Sequence, residues 1–235
     1  MAKPITFSRN LNIDWLNAVA DYRLAGMTRE DAASALNALV SQRIASKDNI
    51  RKSRTLLLSI WYDNDPWFLE QAETACRGLP HSQWLPVHWA LMLAKFPIFH
   101  DVCDVAGKLL EYKECITIAQ IKQRVFEKWG ARNTMLHTLP KVVQTLKDIH
   151  ALDPGEVNGT YKAHAWKVSD VQSATMLTAA LLASKDRQQM TWSALSHDPA
   201  IFPFEFTQVG QADIAACERL RLERSGNEVI IRLKL

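Results

Sequence analysis

The residues of this chain that could carry chemistry are widely spaced, and their patterns fit recognition better than catalysis. Only His100-Asp101 sets an imidazole directly before a carboxylate, and adjacent residues on a helix project from different faces, so the pair is not expected to act as a dyad. Asp63, Asp65 and Glu70 offer three carboxylates to a divalent ion, but a helix-capping loop explains them better. No GxxxxGK, GxGxxG, HExxH or GxSxG stretch is present. Cys76, Cys103, Cys115 and Cys217 stand apart, without CxxC or Cys/His spacing, which argues against a structural metal and fits a reducing compartment. His88, in an apolar helix, reads as a hydrogen-bonded interface histidine. A non-enzymatic protein without metal or cofactor is the expectation.

The recognition signal lies between Thr117 and Lys147, where six basic residues (Lys122, Arg124, Lys128, Arg132, Lys141, Lys147) face one acid, Glu127. Arg132, Asn133, Thr134, His137, Thr138 and Lys141 open a helix whose apolar stripe is Leu136, Leu139, Val143 and Leu146, extending to His150. Thr145 joins the polar side. Short donors and cations on one helix face suit a major groove, with the first turn toward base edges. Lys162 and Lys167, with His164 between them, are placed to hold neighbouring phosphates. Arg51, Lys52 and Arg54, flanked by Arg43 and Lys47 and opposed by Asp48, form a second basic cluster for a phosphate backbone. A solvated, partly neutralised helix face is the competing reading of that cluster.

The elements that must position these groups form a winged helix over residues 98–168. Phe99, Val102, Ala106, Leu109 and Leu110 recur at helical spacing. Thr117 caps a second helix with the stripe Ile118, Ile121, Val125 and Trp129, ended by Gly130. Asn133 opens the third helix, in which Pro140 predicts a bend near His137. Asn158-Gly159 signals a hairpin, with residues 160–168 as its outgoing strand.

Before this unit the spacing predicts helices from Asn12, Thr28, Ser46 or Asp48, Asp65-Pro66 and Leu85, with residues 1–10 as a loose arm. After it, Ser169-Asp170 opens a helix, Thr191 caps a short one, and residues 202–206 alternate as a strand. Residues 213–217 form one helical turn, and residues 220–224 and 228–235 pair as a terminal hairpin. Its outer strand needs a cover for its edge, from residues 204–209 or from another protein.

With 235 residues, 48% of them hydrophobic, the chain can fill two or three small domains. The expected fold is mainly α: a helical N-terminal domain (1–95), a central winged helix (96–168) and a small α+β C-terminal unit (169–235). The net charge of +3 does not identify a partner, but residues 169–235 are slightly acidic, so all the basic excess lies before them. No signal-like leader and no apolar run of about twenty residues is present, so a cytoplasmic protein without a membrane partner is expected.

The order of features resembles the BrxA family, small accessory proteins of BREX phage-defence systems. The likeness covers most of residues 24–153. It rests on Gly-Met-Thr-Arg-Glu at 26–30 and on a Ser-x-x-Asn-x-Arg-Lys-x-Arg run at 46–54. It continues in the apolar helix from Trp84 into Phe99-His100-Asp101-Val102, and in Phe126-Glu127-Lys128-Trp129 before the third helix. The terminal hairpin and the Asn158-Gly159 wing lie outside it. The resemblance implies a DNA-binding, non-catalytic component working beside larger defence proteins. From the residues alone the expected partner is double-stranded DNA, with an assembly adaptor or a winged-helix transcription regulator as the alternatives.

Overall fold

Capping residues delimit the helices of the N-terminal region. The computed structural model describes residues 7–130, 133–184 and 189–234. Asn12 Oδ1 accepts from Trp15 N to start α1 (Ile13–Leu24), and Gly26, at φ +74°, ends it. The N–H groups of Gly26 and Met27 bond back to Arg23 and Tyr22, which closes the last turn. Thr28, Ser46 and Asp65 cap α2 (Arg29–Ser41), α3 (Lys47–Trp61) and α4 (Pro66–Gly78). After a 3-10 turn at His81–Gln83 comes α5 (Leu85–Lys95), in which residues 85–93 are all buried.

A helix buried on every face must be surrounded. α5 packs against α4, α3, α6 (Pro97–Leu110) and α9 (Val171–Ser184), itself buried from Ser173 to Leu182. Trp89 meets Phe99, Phe202 and Phe204 edge-on, and its Nε1 donates to Ala200 O at 3.0 Å. The buried apolar side chains therefore form one cluster from Phe7 to Ile231, continuous across the expected boundaries at 95/96 and 168/169.

α6, β1 (Ile116–Thr117), α7 (Ile118–Trp129), α8 (Asn133–Asp148), β2 (Leu152–Pro154) and β3 (Thr160–Ala163) follow in winged-helix order. Their antiparallel sheet runs β1-β3-β2, with Ile116 opposite Tyr161 and Leu152 opposite Ala163. Thr117 and Gln120 cap α7 reciprocally, and Gly130, at φ +77°, closes it. α8 runs unbroken through Pro140. The chain is mainly α, with its small α+β portion at the C-terminus. That portion adds β4 (Trp166–Val168), β5 (Gln189–Thr191), α10 (Trp192–Leu195), β6 (Phe204–Phe206), α11 (Gln211–Ala215), β7 (Leu220–Ser225) and β8 (Glu228–Leu233). Among the described residues no helix is long and apolar enough to cross a membrane.

Several expectations are corrected. Residues 160–168 are two strands: β3 ends at Ala163, and β4 instead pairs parallel with β6, Trp166 opposite Phe204. Trp166 N donates to Pro203 O and its Nε1 to His150 O, which turns the chain away from the wing. The inner strand of the terminal sheet is β8, covered on one side by β7 and on the other by β5 rather than by residues 204–209. Of the loose arm expected at residues 1–10, residues 1–6 lie outside the described residues, and residues 7–10 are docked together with Leu11. Phe7 lies between Phe96 and Phe99, Asn10 bonds Asp148, and Leu11 N donates to Thr145 Oγ1.

His88 is fully hydrogen-bonded. Trp61 Nε1 donates to its Nδ1 at 3.1 Å, and its Nε2 donates to Asn17 Oδ1 at 2.9 Å. Burial, helped by His81, pushes its pKa down to about 3. The unfolded chain therefore takes up this proton first, and stability falls as pH drops below about 6.5. His88→Gln should flatten the slope of stability against pH between 6.5 and about 4.5, above the carboxylate range, measured by urea unfolding; an unchanged slope contradicts this assignment.

Gly107 supplies a second test. A Cβ there would run into the backbone of Pro199, whereas a Cβ at Gly78 meets nothing within 4 Å. Gly107→Ala should cost about 1–3 kcal/mol by overpacking, and Gly78→Ala should be neutral or slightly stabilising, in the same unfolding assay.

Candidate nucleic-acid interface

α8 divides lengthwise into a buried and a free side. Met135, Thr138, Leu139, Val142, Val143, Thr145 and Leu146 are buried, while Asn133, Thr134, Leu136, His137 and Pro140 are exposed and Lys141 is half-buried. The buried stripe is thus centred about one residue earlier than the leucine spacing predicts. Thr138, expected in the groove, is 5% exposed and faces the core, and Thr145 is fully buried. The Thr145 hydroxyl is satisfied without water: it donates to Lys141 O and accepts from Leu11 N. Leu136, expected in the stripe, is 40% exposed. His150 is no part of the stripe either. It adopts φ +58°, and the N–H groups of His150 and Ala151 return to Lys147 and Leu146 to close α8. Arg132 lies outside the described residues.

The wing carries Lys162, exposed on β3, with Val157 at its tip 69% exposed. Lys167 is exposed but belongs to β4, in the other sheet, so it does not share the wing with Lys162. His164 Nδ1 lies 2.8 Å from Asp153 Oδ2. Among the described residues Lys141, Lys162 and Lys167 make no ion pair, which leaves their charges to solvent or a ligand. Four cations of α7 and α8 are engaged: Arg124 with Glu127, Lys128 with Asp101, Lys122 over the Phe126 ring, and Lys147 over the Tyr161 ring.

The α3 cluster is partly neutralised. Asp48 lies 2.6 Å from Lys52 and 2.7 Å from Arg51, and these bonds hold its carboxyl down near 2. Arg54 donates to Asn37 Oδ1, and Arg43 pairs with Asp14. Lys47, Arg51 and Arg54 border a shallow groove between α2 and α3 with Asn37 and Ser41. Two of the three carboxylates weighed for a cation are engaged otherwise: Asp63 pairs with Arg29 through both oxygens, and Asp65 caps α4 and meets Arg219. Among the described residues no cluster of His, Cys, Asp or Glu is placed to hold a metal ion.

Sequence reasoning missed the group that positions α7 and α8. Asp101, 5% exposed on α6, accepts from Lys128 Nζ and from Trp129 Nε1, each at 2.7 Å. His100 Nδ1 lies 3.1 Å from the same carboxylate, so neighbours on one helix do meet here. The last two residues of α7, next to the turn into α8, are thereby fastened to α6. Burial raises the Asp101 pKa, but the bonds from His100, Lys128 and Trp129 outweigh it and hold the carboxyl near 2. The available signal was an aspartate next to the apolar stripe of α6. No family model, curated protein or solved structure matches the chain.

Asp101→Asn should lower stability at pH 7 by about 2 kcal/mol, as charge-assisted bonds to a buried group are weakened. A folded-state pKa below the ordinary value means that this contribution is present above about 3.8 and is lost as pH falls toward about 2. The gap between native chain and variant should therefore close over that interval in denaturant titrations, and a gap independent of pH contradicts the account.

Proposed function

We propose that the protein is a non-enzymatic double-stranded DNA-binding protein that sets the free side of α8 into a groove and its wing against the flanking backbone. The observation that carries this reading is the composition of that free side. Asn133, Thr134 and His137 offer short polar groups over the first turns, Lys141 follows one turn on, and Lys162 rises on the adjacent strand. Asn and His donors suit base edges, while unpaired ammonium groups suit phosphates. Arg132, by its place in the sequence, extends this set. Thr138 does not belong to it. Lys47, Arg51, Lys52 and Arg54 on α3 supply a second, weaker backbone contact, because Asp48 already answers part of their charge. Lys167 contributes only long-range attraction. The resemblance to BrxA would put this activity in a phage-defence system, with other defence proteins as partners.

Leu136 and Val157, apolar and exposed on the same helix and wing tip, favour a second reading in which this face docks a protein. Binding to a random duplex of about 30 base pairs, followed by fluorescence anisotropy over a salt series, separates the two. The DNA reading expects log affinity to fall steeply with log salt. Lys141→Glu and Lys162→Glu should each weaken binding and reduce the salt slope by about one or more, while Thr138→Val leaves affinity unchanged. No binding at low salt removes the DNA reading and transfers the face to protein docking.

A further inference from the structure

Lys47, Arg51 and Arg54 recur on α3 at spacings of four and three residues, so they project from one face of the helix. That face and the C-terminal half of α2 border an open groove of about 510 Å³. The volume falls within the range of small-molecule sites, about 300–1,000 Å³. Asn37 stands on the α2 side, and Ala38 and Ile50 give the groove its apolar part. No carboxylate lines it among the described residues, and Asp48, which draws on Arg51, is not part of the lining.

The polar groups of the groove are mostly donors. Arg54 Nη1 donates to Asn37 Oδ1 at 3.1 Å, which commits the amide oxygen and leaves the amide N–H groups unused among the described residues. Arg51 gives Nη2 to Asp48 at 2.7 Å, and its other guanidinium N–H groups have no partner among the described residues. Lys47 makes no ion pair among them. Ser41, on the α2 side, spends its hydroxyl proton on Ala38 O and adds no donor. Lys47 also holds the first position of α3, just past the Ser46 cap, where the helix dipole disfavours a cation. A row of cations left unbalanced by its own wall, starting at the positive end of a helix, is stabilised by a bound anion.

We propose that this groove binds a small polyphosphate, with Lys47, Arg51, Arg54 and the Asn37 amide donating to the oxygens of linked phosphoryl groups. The choice of a phosphate chain follows from the spacing. Lys47 and Arg54 are seven residues apart, about 10 Å along the helix axis. Arg51 and Arg54 are each tethered by a neighbour, so their heads do not gather around one anion. A single phosphate reaches part of the row, whereas linked phosphates run along it. The phosphate group is also what the duplex reading sets against α3. The source differs, a free small molecule instead of a nucleic-acid backbone, and this site does not rest on the duplex reading.

The test titrates sodium triphosphate into the full chain at constant ionic strength, with calorimetry and the side-chain N–H signals of Asn37 and Arg54 in ¹⁵N spectra as readouts. Sodium orthophosphate is the control for chain length. Triphosphate should bind saturably at one site per chain and move both signals, and orthophosphate should bind about tenfold more weakly or less. Lys47→Gln, at an exposed position, and Arg54→Gln should each weaken triphosphate about tenfold. Lys52→Gln removes the same charge from the same helix outside the groove lining, and should change affinity by less than about twofold. An equal loss for Lys52→Gln and Lys47→Gln means a diffuse field and overturns the site, as do equal binding of orthophosphate and heats that never saturate. A random duplex of about 30 base pairs separates the sources. Duplex binding that depends on Lys47 and Arg54, with no triphosphate binding, assigns the groove to the backbone contact and overturns the small-molecule site. Lys141→Glu, on α8, should leave triphosphate affinity unchanged, so failure of the duplex reading and failure of this site are read separately.

Discussion

The structure depends on one constraint, that α5 has no face to give to water. With residues 85–93 all buried, something apolar must cover each side of it, and the chain supplies α3, α4, α6 and α9 for that purpose. Trp89 connects the layers, touching Phe99 of α6 and the Phe202 and Phe204 rings more than a hundred residues further on, with its N–H returned to Ala200 O. His88, a polar group in this interior, is paired on both ring nitrogens, with Trp61 and Asn17. Covering α5 therefore makes the C-terminal helix part of the same core as the N-terminal ones.

The winged helix is mounted on this core through α6. One side of α6 packs on α5, and the opposite reach of Asp101 fastens the last residues of α7. From the other direction Phe7 and Leu11 pack into the core, and residues 9–11 tie α3 to the C-terminal half of α8. One side of the first half of α8 and the tip of the wing stay exposed. A surface held this way would cost little to order if it bound a ligand, since the supporting helix ends are already fixed.

Charge at the surface separates into used and unused groups. Arg51 and Lys52 lie against Asp48, Arg124 against Glu127 and Lys128 against Asp101, so the basic count of these helices overstates their open field. Lys141 of α8 and Lys162 of β3 make no ion pair among the described residues.

How much was legible in the chain follows the range of each interaction. Local signals read true: Thr28, Asp65 and Thr117 cap helices, Gly26 and Gly130 end them, and Gly226, at φ +61°, turns the terminal hairpin. These depend on backbone groups within a few residues, so the amino-acid sequence by itself determined most of the helices, their order and the mainly helical class. It did not determine which side of α8 is buried. Met135 and Leu136 are both apolar neighbours, and only the packing of α8 on α6 and against Leu11 turned Thr138 and Thr145 inward. Likewise β6, the partner of β4, and β5, the second partner of β8, are thirty or more residues away, beyond any local pattern. Tertiary structure alone joined His100 to Asp101 and Asp101 to the end of α7, because that junction needs three elements at once and no pair of neighbouring residues can specify it.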